Sequence, residues 1–151
     1  MSNQYLETFK AEALGKSWQT KVNITGTEWS FQLDEPVEDG GKNSGANPMQ
    51  FFIAALAACQ NEQAQVVAEE LSLSIEEITI NVEVDLDLAG FMGIENHSNE
   101  SYKNARLEFF VSGDLSEENV MELGKRVDAR CPILGLLRNS GCKIDSVWSK
   151  K

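Results

Sequence analysis

The longest uninterrupted pattern in the chain lies between Asn47 and about Leu71. After Pro48 it contains no Gly or Pro, and none follows until Gly90. Asn47-Pro48 reads as a helix start: an N-cap side chain, then a ring whose φ is already set for the first turn. The pattern predicts a helix of roughly 24 residues, about 36 Å long at 1.5 Å per residue. Its first half, Phe51 to Cys59, is apolar on every side and is expected to be buried all round. Its second half, Gln60 to Glu70, is polar on most faces. Cys59 sits at the changeover, with Phe52, Ala55, Leu56, Glu62 and Gln63 on its face by helical spacing.

Around this helix the alternation has period two. Residues 4 to 13 are read as a strand and Ala13 to Ser17 as a turn. Gln19 to Thr25 and Glu28 to Leu33 read as a hairpin about Gly26, with Val22 and Ile24 on one face of the first strand and Trp29, Phe31 and Leu33 on one face of the second. Asp34 to Ala46 is a loop whose glycines either connect elements or bring backbone N–H groups and Lys42 close to a site. From Ile75 to Leu88 apolar residues alternate with acidic and polar ones, predicting a half-exposed strand. Ala89 to Ser101 is an irregular connection, in which Phe91 and Met92 are read as packed locally rather than as an access lip or dimer contact. Tyr102 to Val111 is the antiparallel partner strand. A helix from Asp114 to Arg130 follows, with Ser116 as N-cap and Val120, Leu123 and Val127 as its buried stripe. Cys131 then occupies an N-cap-like position before Pro132 and a short apolar helix, and Cys142 to Trp148 is a last strand. The order βββ-α-ββ-α-(short α)-β is α+β, and 151 residues suit one domain spanning the chain.

Charge and cysteine usage narrow the chemistry. A net charge of −11 argues against nonspecific binding to nucleic acid or anionic membranes. No run of apolar residues is long enough to span a bilayer, and Met1 to Thr8 lacks the basic and apolar regions of a signal peptide, so a cytoplasmic protein is expected. Three scattered cysteines form no secreted disulfide framework, there is no Cys-x-x-Cys, and His97 is the only histidine. No metal site or cofactor is expected. Thiol redox chemistry, or none, is what remains for the cysteines. Locally, burial should raise the Cys59 thiol's pKa, whereas Cys131, beside Arg130 at a helix N-terminus, should be the more acidic thiol. Cys142 reads as a core residue at the start of the last strand, with pairing to Cys131 across Gly141 as the alternative.

Gly40-Gly41, then Gly45-Ala46-Asn47-Pro48, ten residues to Cys59, and later Cys131-Pro132 form a pattern that resembles the OsmC/Ohr family, the osmotically inducible and organic hydroperoxide resistance proteins. The resemblance covers nearly the whole chain. It implies an intertwined homodimer with antiparallel sheets wrapped around two central helices and each site at the subunit interface. It also implies a peroxidase acting on organic hydroperoxides. Cys59 matches the thiol that becomes a sulfenic acid, and Cys131 the thiol that resolves it to a disulfide, which an external dithiol, often lipoyl-type, reduces. Typical members carry Asn-Pro-Glu, the Glu orienting an Arg from the first N-terminal loop. Here Met49 takes the Glu position, Gly15-Lys16 stands in that loop, and no Arg precedes Arg106. Lys16 and Lys42 offer charge without the planar fork of an arginine. Glu62 stands one turn after Cys59 as a replacement acid or a repelling charge, and Arg130 or Arg138 reaches Cys59 if the Cys131 segment docks there.

Three functions follow. The first is hydroperoxide reduction through Cys59 and Cys131. The second is a noncatalytic member binding a hydrophobic small molecule in a dimer-interface pocket lined by Met49, Phe51, Phe52 and Leu56. The third is a dimeric structural or stress protein with inert cysteines.

Overall fold

The computed structural model describes residues 4–95 and 102–151, so His97 lies outside the described residues. Among the described residues the architecture is α+β, with three strands, a long helix, two strands, two helices and a final strand. The chain divides into two compact units, Met1–Phe52 and Ile53–Lys151.

In the first unit β1 (Ala11–Lys16), β2 (Gln19–Ile24) and β3 (Ser30–Leu33) form an antiparallel meander. The first strand starts and ends later than the sequence pattern suggested, and the turn falls at Ser17-Trp18. Gly15 stays in the ladder opposite Thr20 and Lys16 pairs with Gln19, while Ser17 takes φ 56°. A left-handed serine makes the reversal expected of the glycine, as a two-residue hairpin turn requires. The register aligns Ala11, Ala13, Val22, Ile24, Phe31 and Leu33 on one face. All of β1 is exposed, and Phe31 stacks on Phe51 with ring centroids 4.3 Å apart.

The loop after β3 is built around Asp34, which is only 1% exposed. Its carboxylate accepts from the backbone N–H of Glu35 at 2.9 Å and of Lys42 and Ser44 at 3.1 Å each, and from the Ser44 hydroxyl at 2.6 Å. These donors hold the carboxyl at about 2, well below its ordinary 3.8, with the Ser44 hydroxyl the largest contributor. The loop glycines make room for the backbone of this knot. A Cβ on Gly41 would overlap the Glu35 carbonyl, and one on Gly45 the Gln32 carbonyl. The loop ends at Asn47, whose side chain accepts from the Gln50 N–H (2.9 Å) while the Gln50 side chain accepts from the Asn47 N–H (3.0 Å). That reciprocal cap starts helix α1 (Pro48–Glu70) with Pro at its first position.

The second unit takes α1 from Ile53 onward. Its buried residues are Leu56, Gln60, Ala64, Val67 and Ala68, one stripe at helical spacing. This corrects the expected burial of Phe51 to Cys59 all round, since only Leu56 of that stretch is buried in the chain. An all-apolar half-helix presents faces in every direction, but the core covers one of them. Ala64, Val67 and Ala68 pack with Leu123 and Val127, flanked by Leu71, Leu73, Ile75, Ile78 and Trp148. Leu123, fully buried, contributes about 1.5–3 kcal/mol.

β4 (Ser74–Leu86) and β5 (Tyr102–Asp114) pair antiparallel, Ile78 opposite Val111, Ile80 opposite Phe109 and Val82 opposite Leu107. An irregularity between Ile75 and Glu77 resets the alternation, so Ile75 and Ile78 both reach the core. Phe91 and Met92 after β4 are exposed rather than locally packed. α2 (Glu117–Arg130) opens with the expected Ser116 cap, reciprocated by Asn119, and buries Val120, Leu123, Gly124 and Val127. α3 (Pro132–Asn139) follows after one residue, and β6 (Lys143–Lys150) closes the sheet. β6 runs parallel to β5, Phe109 beside Trp148, where antiparallel sheets were expected. The two helices between them form a crossover that returns the chain to the edge from which β5 began, and a crossover delivers a parallel strand.

Candidate functional site

The site grows from the single residue separating α2 from α3. Cys131 is the C-cap of one helix and the N-cap of the next, with φ −62° and ψ 117°, and its sulfur accepts from the Leu134 N–H at 3.4 Å. An extended residue between two helices, followed by a proline preset for the first turn, turns the chain sharply and aims the cap side chain along the new helix's N-terminal N–H groups. The corner brings Cys131, 2% exposed, against the half-buried Cys59 of α1. The sulfurs are 3.1 Å apart, within thiol hydrogen-bond contact. Both cysteines are free thiols.

The electrostatics of Cys59 oppose ionisation. Burial pushes its thiol up to about 11 from an ordinary 9.0, the Cys131 sulfur adds to the rise, and the Glu62 carboxylate adds less. The Ile133 N–H of α3 acts the other way by bonding to the sulfur. The first turn of α3 thus serves both sulfurs, Ile133 toward Cys59 and Leu134 toward Cys131. Among the described residues no cation offsets the burial. Arg130, next to Cys131 in sequence, points to α1 and donates to Glu70 at 2.7 Å. Arg138 donates to the backbone carbonyl of Asp128 at 3.0 Å, pinning α3 to the last turn of α2. Of the residues singled out from the sequence, Cys59, Glu62, Cys131 and Arg130 belong to the second unit, whereas Lys16, Lys42, Met49 and Phe52 belong to the first. Cys142 is buried, and its S–H points to the Lys143 carbonyl at 3.7 Å. Cys131 has turned to Cys59 instead.

Two polar features near the thiols were not among the residues singled out from the sequence. Gln60 is wholly buried beside Cys59, and among the described residues neither atom of its amide has a hydrogen-bond partner. Its place on the buried stripe, four residues after Leu56 and four before Ala64, was the available signal. Among the described residues a buried carboxyl oxygen of Asp128, three residues before Cys131, finds no full hydrogen bond, and neither do the Ser146 hydroxyl and the Trp148 indole N–H. Ser146 and Trp148 present these groups to the Asp128 carboxyl from β6 without reaching full hydrogen-bond geometry. Burial raises that carboxyl, with Ser146, Trp148 and the Arg138 charge opposing the rise. Among the described residues no cluster of His, Cys, Asp and Glu suits a metal ion.

Residues 41–147 match the family model of OsmC-like proteins, and the chain belongs to that family. Among solved structures it is similar to an OsmC-like protein from Mycoplasma pneumoniae (19% identity, 93% of this chain and 96% of that one, TM-score 0.78). It is also similar to organic hydroperoxide resistance proteins from Elizabethkingia anophelis (22%, 98% and 99%, TM-score 0.75) and Bacillus subtilis (23%, 96% and 98%, TM-score 0.67). At these identities the likeness is one of fold. A search of the curated proteins returns no match.

Proposed function

We propose that the protein is a thiol-dependent peroxidase reducing organic hydroperoxides, with Cys59 as the attacking thiol and Cys131 as its resolver. The observation that carries this reading is the 3.1 Å contact between two free sulfurs that are 72 residues apart in sequence. The Cys59 thiolate attacks the terminal peroxide oxygen, the O–O bond breaks, and the alkoxide takes up a proton and leaves as alcohol. Cys131 then attacks the sulfenic sulfur. The S–S bond forms, the S–O bond breaks, and hydroxide leaves with the Cys131 proton as water. An external dithiol, lipoyl-type in related proteins by the resemblance above, takes the disulfide back to two thiols. The short sulfur separation means that the resolving step needs little chain movement.

The same reading makes the active form a homodimer in the cytoplasm, its two units parts of one OsmC-like domain. The family match from residue 41 to 147 runs across the boundary between the units. Among the described residues no helix is long and apolar enough to cross a membrane. A second copy is the natural cover for the apolar face of β1–β3 and the exposed Phe51 of α1.

One observation favours a second reading. A Cys59 thiol pushed up to about 11 is a scarce nucleophile at neutral pH, and Met49 stands where a charge-orienting Glu is typical. On that reading the protein is an OsmC-like binder of a hydrophobic small molecule at the dimer interface. The deciding assay is consumption of cumene hydroperoxide with a dithiol, on wild type, Cys59→Ser and Cys131→Ser. Turnover lost in Cys59→Ser, with Cys131→Ser halted at the sulfenic acid, supports the peroxidase. Turnover no greater than that of Cys59→Ser in every protein rejects it.

A further inference from the structure

The sulfur pair also has the geometry of a ligand site. A single atom can bridge two sulfurs 3.1 Å apart only if its bond angles are small. Linear two-coordinate copper(I) would hold the sulfurs much further apart. Zinc needs four ligands, and the described residues offer no third His, Cys, Asp or Glu to the pair. A trivalent arsenic centre is soft, thiophilic and pyramidal, with angles near a right angle. It holds two sulfurs at close to the separation found here and points its third bond away from them.

We propose that Cys59 and Cys131 form a two-point chelating site for trivalent arsenicals, one arsenic atom bridging the two sulfurs. The site does not depend on peroxide turnover. With phenylarsine oxide, hydrated to its dihydroxide, each thiol displaces one hydroxyl group. Two As–S bonds form, two As–O and two S–H bonds break, and two waters leave carrying the thiol protons. Arsenic stays trivalent, so no oxidant or reductant is needed. Cys59, half-buried, is met first, and Cys131 closes the ring from beneath. The Ile133 and Leu134 N–H groups remain able to bond to the bridged sulfurs. Both sulfurs are already in place, so little ordering opposes the second bond.

Cys142 provides the internal control, since its sulfur faces the Lys143 carbonyl instead of the pair. The test is titration of the reduced full-length chain with phenylarsine oxide, read by intact-mass spectrometry and then challenged with excess 2-mercaptoethanol. Wild type and Cys142→Ser are expected to carry one arsenical per chain, to retain it against the monothiol, and to release it to 2,3-dimercaptopropanol. Cys59→Ser and Cys131→Ser are expected to bind roughly 100-fold more weakly, the order of gain that two-point attachment confers. A serine at 131 keeps an oxygen to cap α3, and a thermal melt confirms that each variant is folded. If the Cys131 variant melts early, Cys59→Ser decides alone. An adduct on a folded Cys59→Ser or Cys131→Ser chain that survives the monothiol would overturn the proposal, as would a wild-type adduct that yields to it. Chelation without peroxide consumption leaves this site standing while removing the peroxidase, and the opposite pair of results does the reverse.

Discussion

At the scale of single residues, Cys59 and Asp34 depart from their ordinary titration ranges in opposite directions. At Cys59 the thiol must lose its proton before it attacks a peroxide, and burial holds that proton until about pH 11. Hydroperoxide consumption should therefore rise roughly tenfold per pH unit through the neutral range, following the thiolate fraction. A rate independent of pH between 7 and 9 would show that a cation lowers this thiol in the working protein. Glu62 contributes to the rise from an exposed position, so Glu62→Gln should quicken the reaction only about twofold, a screened surface effect. At Asp34 the sign is opposite. Its folded value of about 2 lies below the ordinary 3.8, so its stabilisation is complete above about pH 4 and fades as the pH falls toward 2. Asp34→Asn should lower the thermal midpoint at pH 7 while flattening that acid limb, as recorded by melts from pH 2 to 7.

Elements show what a sequence pattern carries and what it omits. The start of α1 was legible because Asn47 and Pro48 have local meanings, and α2 was legible because Ser116 and Asn119 cap it from three residues apart. Alternation in β4, β5 and β6 revealed which residues share a face, but the same alternation fits either strand direction, so the parallel β6 was not readable. Gly15 misled because a glycine can stay in an edge ladder while a serine turns the chain. The contact between Cys59 and Cys131 could not be reached from spacing at all, and only the family resemblance implied it. Asp34 and Asp128 look in sequence like any surface acid, and only packing shows that one is fully satisfied and the other is not. For Asp128 the folded value is raised, so stability falls as the pH climbs from the unfolded value to the folded one, and the cost persists at pH 7. Asp128→Asn should thus melt higher than wild type at pH 7 and level with it at low pH. Equal melts at both would refute the assignment. Between α2 and β6, Gly124 leaves room for the Trp148 indole, which a Cβ would overlap. Gly124→Ala should destabilise despite its helix propensity, since overpacking costs about 1–3 kcal/mol against a gain of about 1.

At the scale of the whole molecule, much apolar surface remains outside the chain's own core. Phe9 and Trp29 in the first unit are 84% and 69% exposed, and exposed apolar surface of this kind marks an interaction site when it is contiguous. Sedimentation at micromolar concentration should give a dimer, and Trp29→Asp should shift it toward monomer without unfolding the second unit. A monomeric wild type would remove the shared interface and, with it, the pocket-binding alternative. The parallel strand β6 also dictates an order of assembly. The β4–β5 pair joins neighbours in the chain, whereas β6 can dock only after α2 and α3 have crossed over, and such distant closures are slow. Cys131 rides on that crossover, so during refolding the two sulfurs should meet among the last events. Pulsed alkylation of refolding protein would then find Cys59 reactive until β6 locks, which makes the thiol pair a clock for the final step of folding.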